Sequence, residues 1–196
     1  MSAIEIFGFE TSNNMKVRIA LKYKDSDYTF TLIDPRERQQ IVEWTGQPLT
    51  PVMKHGEVVL FDSGAILRYL DANFPAAPRL FSGDRKTLVA IEGWEVFSRF
   101  RVLGPLIVVV NHRLEGGDDP QVFATSQADF RAALDELAPA LRGRHWLVGD
   151  TMTGADVTTA PVVYRGIGYG FCDRSDVDPA LLEWMDRVMA YDAAGD

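Results

Sequence analysis

At 196 residues, with 46% hydrophobic and 24% charged side chains, the chain has room for one large or two small packed domains and an ordinary globular composition. Its formal net charge of -8 disfavours nucleic acid or an anionic membrane surface as a partner. The single cysteine, Cys172, can form no internal disulfide, the MSAIEIFGFE start lacks the order of a signal peptide, and the longest apolar run, 102–110, is interrupted by Gly104 and Pro105. These features predict a cytoplasmic protein with no membrane-spanning segment.

Residues 3–9 place Ile4 and Ile6 on one face and predict a strand. Thr11-Ser12-Asn13-Asn14 follows, a cluster of turn and cap formers, and then Val17, Ala20 and Leu21 recur at helical spacing. Lys24-Asp25-Ser26-Asp27 ends that helix, and Tyr28, Phe30 and Leu32 alternate with Thr29 and Thr31 in a second strand. Asp34-Pro35 offers a cap and first turn for the short helix-like run RERQQIVEW. VMK and VVLF form a hairpin turning at His55-Gly56, preceded by Pro48 and Pro51 and followed by a helix opening at Asp62-Ser63. The first half therefore reads strand, helix, strand, helix, strand, strand, helix, with a right-handed parallel crossover and an antiparallel edge.

Beyond Pro75 the pattern changes, and residues 75–84, rich in Pro, Ala, Ser and Gly, read as a linker. Residues 86–114 predict a long helix that Gly104-Pro105 should kink. Asp119-Pro120 caps the next helix, in which Phe130, Leu134, Leu137 and Leu141 keep helical spacing. Thr153-Gly154-Ala155-Asp156 has the spacing of a capping box, a structural rather than catalytic feature. Asp178-Pro179 opens a last helix with Leu181, Leu182, Met185, Val188 and Met189 as its apolar stripe. The prediction is an α/β domain over 1–76 followed by an all-helical domain over 84–196. Gly166-Ile167-Gly168-Tyr169-Gly170 lacks nucleotide-fingerprint spacing and reads as close packing or a loop. His55, His112 and His145 show no metal-ligand spacing, so no metal is expected, and the absence of a CxxC pair argues against disulfide exchange.

Four stretches together resemble the cytosolic glutathione transferases, and the likeness covers nearly the whole chain. TSNNMKVRIAL is similar to the hydroxyl-bearing turn and first helix of that family, LTPVM to its cis-proline segment, FDSGAILRYL to its acid-Ser helix start, and GDTMTGADVTTAP to its capping box. The turn resembles that of bacterial-type members with a Thr-x-Asn pattern. The resemblance implies a thioredoxin-like N-terminal domain joined to an all-helical C-terminal domain, with glutathione as co-substrate.

It also implies roles for particular residues. Thr11, Ser12 and Asn13 fall where the family places the group that stabilises the glutathione thiolate, and the choice among the three stays open. Donors near the sulfur and the positive end of a helix both favour the ionised thiol; the same residues also cap a helix. Thr50-Pro51 would be a cis peptide whose Thr50 backbone pairs with the cysteinyl unit. Ser63 would hold the γ-glutamyl carboxylate and Asp62 its ammonium group, alongside their capping role. A second, electrophilic substrate is expected between the domains near the long helix, with Trp94, Phe97, Phe100 and Arg101 as candidates, Phe97 and Arg101 foremost. The implied activity is thiol attack on a small electrophile, as in detoxification. The alternatives are a glutathione-dependent isomerase or ether- or halide-cleaving enzyme, or a binding protein without turnover. The family is usually homodimeric, which the resemblance extends to this chain, and from the Ala193-Ala194-Gly195-Asp196 end no long tail of the kind that covers substrate in longer relatives is expected.

Overall fold

A computed structural model describes residues 3–192; residues 1, 2 and 193–196, including the chain end read above as lacking a tail, lie outside the described residues. The chain divides into two compact units, residues 3–82 with 190–192, and Gly83–Met189.

The first unit contains β1 (Ile4–Gly8), α1 (Ser12–Tyr23), β2 (Tyr28–Leu32), α2 (Gln39–Thr45), β3 (Val52–His55), β4 (Val58–Phe61) and α3 (Ser63–Asn73), the order read from the sequence. The four strands lie in the order β2-β1-β3-β4. β1 pairs in parallel with β2, Ile4 opposite Tyr28 and Gly8 opposite Leu32. β3 runs antiparallel to β1 and to β4, with Val52 between Phe7 and Phe61. β1 is one of the two inner strands, and both its faces are covered. Ile4, Ile6 and Gly8 are buried on one face, while Phe7, on the other, meets the Trp44 ring of α2 edge-on at 4.8 Å. Gly56, at φ +59°, turns the β3-β4 hairpin. The parallel pair and the antiparallel edge are those that the alternation and the crossover predict, and the whole is the thioredoxin-like arrangement that the resemblance implies.

The α2 helix starts later than Asp34-Pro35 suggested, at Gln39. Asp34 closes a turn instead: its Oδ1 accepts the Arg36 amide at 2.8 Å and its carbonyl accepts the Glu37 amide at 3.0 Å. At the other end of this loop, Arg38 donates to the carbonyls of Pro35 and Pro48, and Gly46 ends α2 at φ +73°.

Two buried ion pairs fix the first unit. Arg18 on α1 is 2% exposed and makes two hydrogen bonds each to Glu10 and to Asp192. Burial alone would lower the Arg18 pKa, but these hydrogen bonds outweigh it and the net shift is upward. At the far ends of α1 and α3, Lys24 Nζ lies 2.8 Å from Asp71.

The second unit is all-helical: α4 (Arg85–Phe97), α5 (Leu103–Leu114), α6 (Pro120–Leu141), α7 (Gly154–Gly168) and α8 (Pro179–Met189). The kink expected at Gly104-Pro105 is absorbed one turn earlier. Ser98–Val102 forms a widened π turn between α4 and α5, in which the Leu103 amide reaches back to the Ser98 carbonyl. Pro105 has no amide to offer the Arg101 carbonyl and its ring crowds the preceding turn, so the extra residue is inserted there.

Asp119 caps α6 with Pro120 in the first turn, and the Thr153-Asp156 capping box is formed. The last helix buries Leu181, Trp184, Met185 and Val188, so its apolar stripe includes Trp184, while Leu182 and Met189 lie at its margins. Gly166 lies against Phe130: a Cβ there would fall 2.2 Å from the ring, which makes this glycine a site of close packing. Among the described residues no helix is long and apolar enough to cross a membrane.

Candidate functional site

The end of β1, the segment before β3 and the start of α3 converge on the first turn of α1. Thr11 is the N-cap, in extended conformation, and its carbonyl accepts the Met15 amide at 3.0 Å. Its Oγ1 accepts twice from Asn14, from the backbone amide at 3.4 Å and from Nδ2 at 2.8 Å. The same Nδ2 donates to Thr50 Oγ1 at 3.1 Å. One buried amide therefore ties the α1 turn to the residue before the β3 edge. With two donors already on its oxygen, the Thr11 hydroxyl keeps its proton to offer elsewhere.

Asn14 was not among the residues singled out from the sequence. The signal was there: an amide three residues after a Thr cap occupies the reciprocal position of a capping box. Its Oδ1 lies over Gly8, where a Cβ would come within 1.7 Å, and is the buried side-chain polar atom left without a partner among the described residues. Gly8→Ala should therefore expel the Asn14 side chain and break both threonine links. A loss of about 2 kcal/mol is expected in thermal or denaturant unfolding, and unchanged stability would show that the amide is not seated there.

The Thr50-Pro51 peptide is cis. Thr50 precedes Val52, the first residue of β3 paired on both sides.

A second set links the turn to α3. Asn13 Oδ1 accepts from Lys16 Nζ at 3.0 Å and from Ser63 Oγ at 3.5 Å. Ser63 is buried at the α3 N-terminus, where helix amides and the dipole favour an anion. Asp62 caps α3, its Oδ1 accepting the Ala65 amide at 3.0 Å, and it is exposed with φ +71°. That backbone region is sparsely occupied by residues other than glycine and recurs at ligand clamps. Ser12 is buried and belongs to neither hydrogen-bonded set among the described residues. Of the residues read from sequence, Thr11, Asn13, Thr50, Pro51, Asp62 and Ser63 thus cluster at one end of the first unit.

The candidates on the long helix lie in the second unit. Phe97 is half-buried against Trp94, with ring centroids 5.3 Å apart. Arg101 pairs with Glu136 of α6, so its charge is already engaged. A groove of about 590 Å³ between α5 and α6 is lined by Phe100, Arg101, Pro105, Val108, Thr125 and Asp129, and Phe97 is not part of it. Cys172 is buried, and burial raises its thiol pKa despite the nearby Arg131, which is the environment of an inert thiol.

Residues 6–78 match the model of the glutathione S-transferase N-terminal domain, and residues 120–187 that of the glutathione S-transferase C-terminal domain. The chain belongs to the glutathione S-transferase family. It is 28% identical over 155 residues to glutathione S-transferase theta-2 of Mus musculus, an alignment covering 72% of this chain and 60% of that protein. The chain thus spans about three fifths of the length of that relative. Glutathione S-transferase 1 of Dianthus caryophyllus is 24% identical over 96% of this chain and 88% of its own. Among solved structures, a glutathione S-transferase from the Antarctic clam Laternula elliptica superposes with a TM-score of 0.80 at 20% identity, covering 96% of this chain and 88% of that one. Ure2p in complex with glutathione gives 0.83 at 19%, covering 96% and 94%. At these identities the superpositions establish the fold. Within this family member, the turn residues sit in the thioredoxin-like unit and the aromatic candidates in the helical one.

Proposed function

We propose that the protein is a glutathione transferase in which the first unit binds glutathione and holds its thiol ionised for attack on a small electrophile. The observation that carries this reading is the convergence of two donor-bearing sets, Thr11 with Thr50 and Asn13 with Ser63, at adjoining helix N-termini. Family membership and the glutathione complex of Ure2p support the choice of ligand.

In this reading the glutathione backbone lies along Thr50, outside the sheet ladder. The Ser63 hydroxyl and amide hold the γ-glutamyl carboxylate, and Asp62 faces its ammonium group. The sulfur lies at Thr11 and Asn13, where the Thr11 hydroxyl and the α1 N-terminus favour the thiolate. The thiol proton passes to solvent, the thiolate forms a carbon–sulfur bond, and the leaving group departs with the electron pair of the bond it breaks. Holding both reactants in place supplies much of the acceleration. The isomerase and the ether- or halide-cleaving alternatives use the same thiolate and differ in the second substrate, which product analysis identifies.

A homodimer and a cytoplasmic location complete the proposal. Exposed Val58, Val59 and Phe61 on β4 and Val89, Val96 and Phe100 along the long helix support an apolar interface. Light scattering at twice the chain mass is the expected result.

Binding without turnover is the second reading. It is favoured by the turn itself, because Thr11, Ser12, Asn13 and Asn14 include no group able to accept the thiol proton. Ultraviolet thiolate absorbance separates the two: a bound thiol still protonated at neutral pH, with no turnover of any electrophile, would sink the enzyme reading. The Ser63→Ala variant should bind glutathione at least about tenfold more weakly, the loss expected for a hydrogen bond to a charged group. Unchanged affinity by calorimetry would refute the role given to Ser63.

A further inference from the structure

We propose that Lys16 is a positioning residue for the sulfur end of this site, acting through Asn13; the inference rests on the reading that the α1 turn faces the glutathione thiol. Lys16 lies one helical turn from Asn13 and is only 6% exposed. Its Nζ donates to Asn13 at 3.0 Å. An ammonium has three donors and no acceptor, so the amide atom it faces must be the oxygen. The Ser63 hydroxyl approaches the same oxygen at 3.5 Å. The ammonium contact fixes the Asn13 amide in one of its two orientations, whereas the Ser63 hydroxyl, able to donate or accept, stays free to turn its proton to the γ-glutamyl carboxylate; Nδ2, with its two N–H donors, is left as the end presented to a ligand.

The energetic consequence is specific to an anion. With the amide reversed, Oδ1 would face the sulfur and repel a thiolate, whereas Nδ2 stabilises it. Lys16 also adds positive potential at a helix N-terminus, a position where a cation works against the helix dipole and an anion gains from both. Other charged groups near the turn have partners of their own. Glu10 and Asp192 bind Arg18, Asp62 caps α3, and Lys54 lies over the Trp44 ring on the opposite face of the sheet.

The test compares wild type, Lys16→Met, Asn13→Ala and the double variant. The bound thiol is titrated by its ultraviolet thiolate absorbance, and affinities for glutathione and for S-methylglutathione, which has no thiol to ionise, are measured by calorimetry. In Lys16→Met the bound thiol pKa should rise by about one unit, the size expected for loss of one oriented donor. S-methylglutathione affinity should change less than about twofold, well within the tenfold that a lost hydrogen bond would cause. In the Asn13→Ala background the lysine substitution should add no further shift. Lys16→Gln keeps length and polarity for folding but can accept as well as donate, and an intermediate rise is expected. An unchanged thiol pKa in both lysine variants, equal losses for the two ligands, or additive shifts in the double variant would overturn the proposal while leaving the glutathione reading intact. Failure of the wild type to bind either ligand would overturn both.

Discussion

Asp156→Ala is expected to destabilise the protein by on the order of 5 kcal/mol, because each buried donor left without a partner costs about 1–3 kcal/mol. The carboxylate is fully buried and gathers donors from three segments. Oδ1 accepts the Leu147 amide at 2.8 Å and the Trp184 indole at 2.8 Å, and Oδ2 accepts the Thr153 amide at 2.9 Å and its hydroxyl at 3.0 Å. The capping box is thus the smaller part of its role; the larger part is to hold the loop before α7 and the core face of α8 together. Denaturant unfolding followed by tryptophan fluorescence reads the loss directly, since Trp184 is one of the partners. A change below about 1 kcal/mol would mean that the donors find other acceptors.

The pH dependence of that variant has a definite sign. Burial raises the Asp156 carboxyl above its ordinary value, although the Leu147 and Thr153 amides and the Trp184 indole pull it back. A folded pKa above the unfolded one means that the folded state keeps the proton longer. The group's contribution is fully present below the unfolded carboxylate pKa of about 4 and diminishes as pH rises through the raised folded value. The stability gap between wild type and Asp156→Ala should therefore narrow across that window. A gap that widened with pH would contradict the assigned direction.

Asp71→Ala should cost about 3–5 kcal/mol, the range for removing one partner of a buried ion pair. Lys24 Nζ, its side chain fully buried, would lose Asp71 and keep the Pro78 carbonyl at 2.9 Å. The amides of Leu80 and Phe81, now held by the two Asp71 oxygens at 2.8 and 3.0 Å, would lose their acceptors. Lys24→Met combined with Asp71→Leu removes both charges and should recover part of the loss, although the two amides stay unpaired. Unfolding by urea measures both variants. Equal stability of Asp71→Ala and wild type would show that the pair is not desolvated. Because the network closes residues 74–81 onto the ends of α1 and α3, its loss should also speed proteolysis in that segment.

Asp71 and Asp156 are used in the same way: each carboxylate, on a helix, collects amides nine residues away in a loop. Only the second was marked in the sequence, because Thr153 stands three residues before it in a recognisable capping pattern. Asp71 has no such neighbour and looks like an ordinary acid near a helix end. Trp184 was missed in the last helix for a related reason. Its spacing from Leu181 and Val188 fits the buried stripe, but its burial depends on Asp156 accepting the indole N–H.

Lys24 and Lys16 illustrate the same limit for cations. Lys24 reads as part of the break that ends the first helix and Lys16 as a residue on it, and the burial of neither is visible in the sequence: Lys24 meets Asp71 on another helix, while Lys16 meets Asn13 one turn away. The site was read in part for the opposite reason. Thr11, Asp62 and Ser63 are visible because capping is local chemistry, and Thr50-Pro51 because a proline beside a strand interrupts the hydrogen-bond pattern. Asn14 reads only as one of a run of turn and cap formers, because its second partner, Thr50, lies on another segment.

The sequence alone determined the order of strands and helices, the caps at Thr11, Asp62, Asp119 and Thr153, and the change from an α/β half to a helical half. These depend on side-chain periodicity and on hydrogen bonds spanning two to four residues, both of which are written in neighbouring positions. Only the tertiary structure decided which turn residues meet which partners: Asn14 reaches Thr50 across 36 residues, and Ser63 reaches Asn13 across 50. Those contacts exist because pairing β3 against β1 brings Thr50 beside the α1 turn and the β4 edge delivers Ser63 to the same end of the sheet. No local spacing encodes that meeting; the register of the strands does.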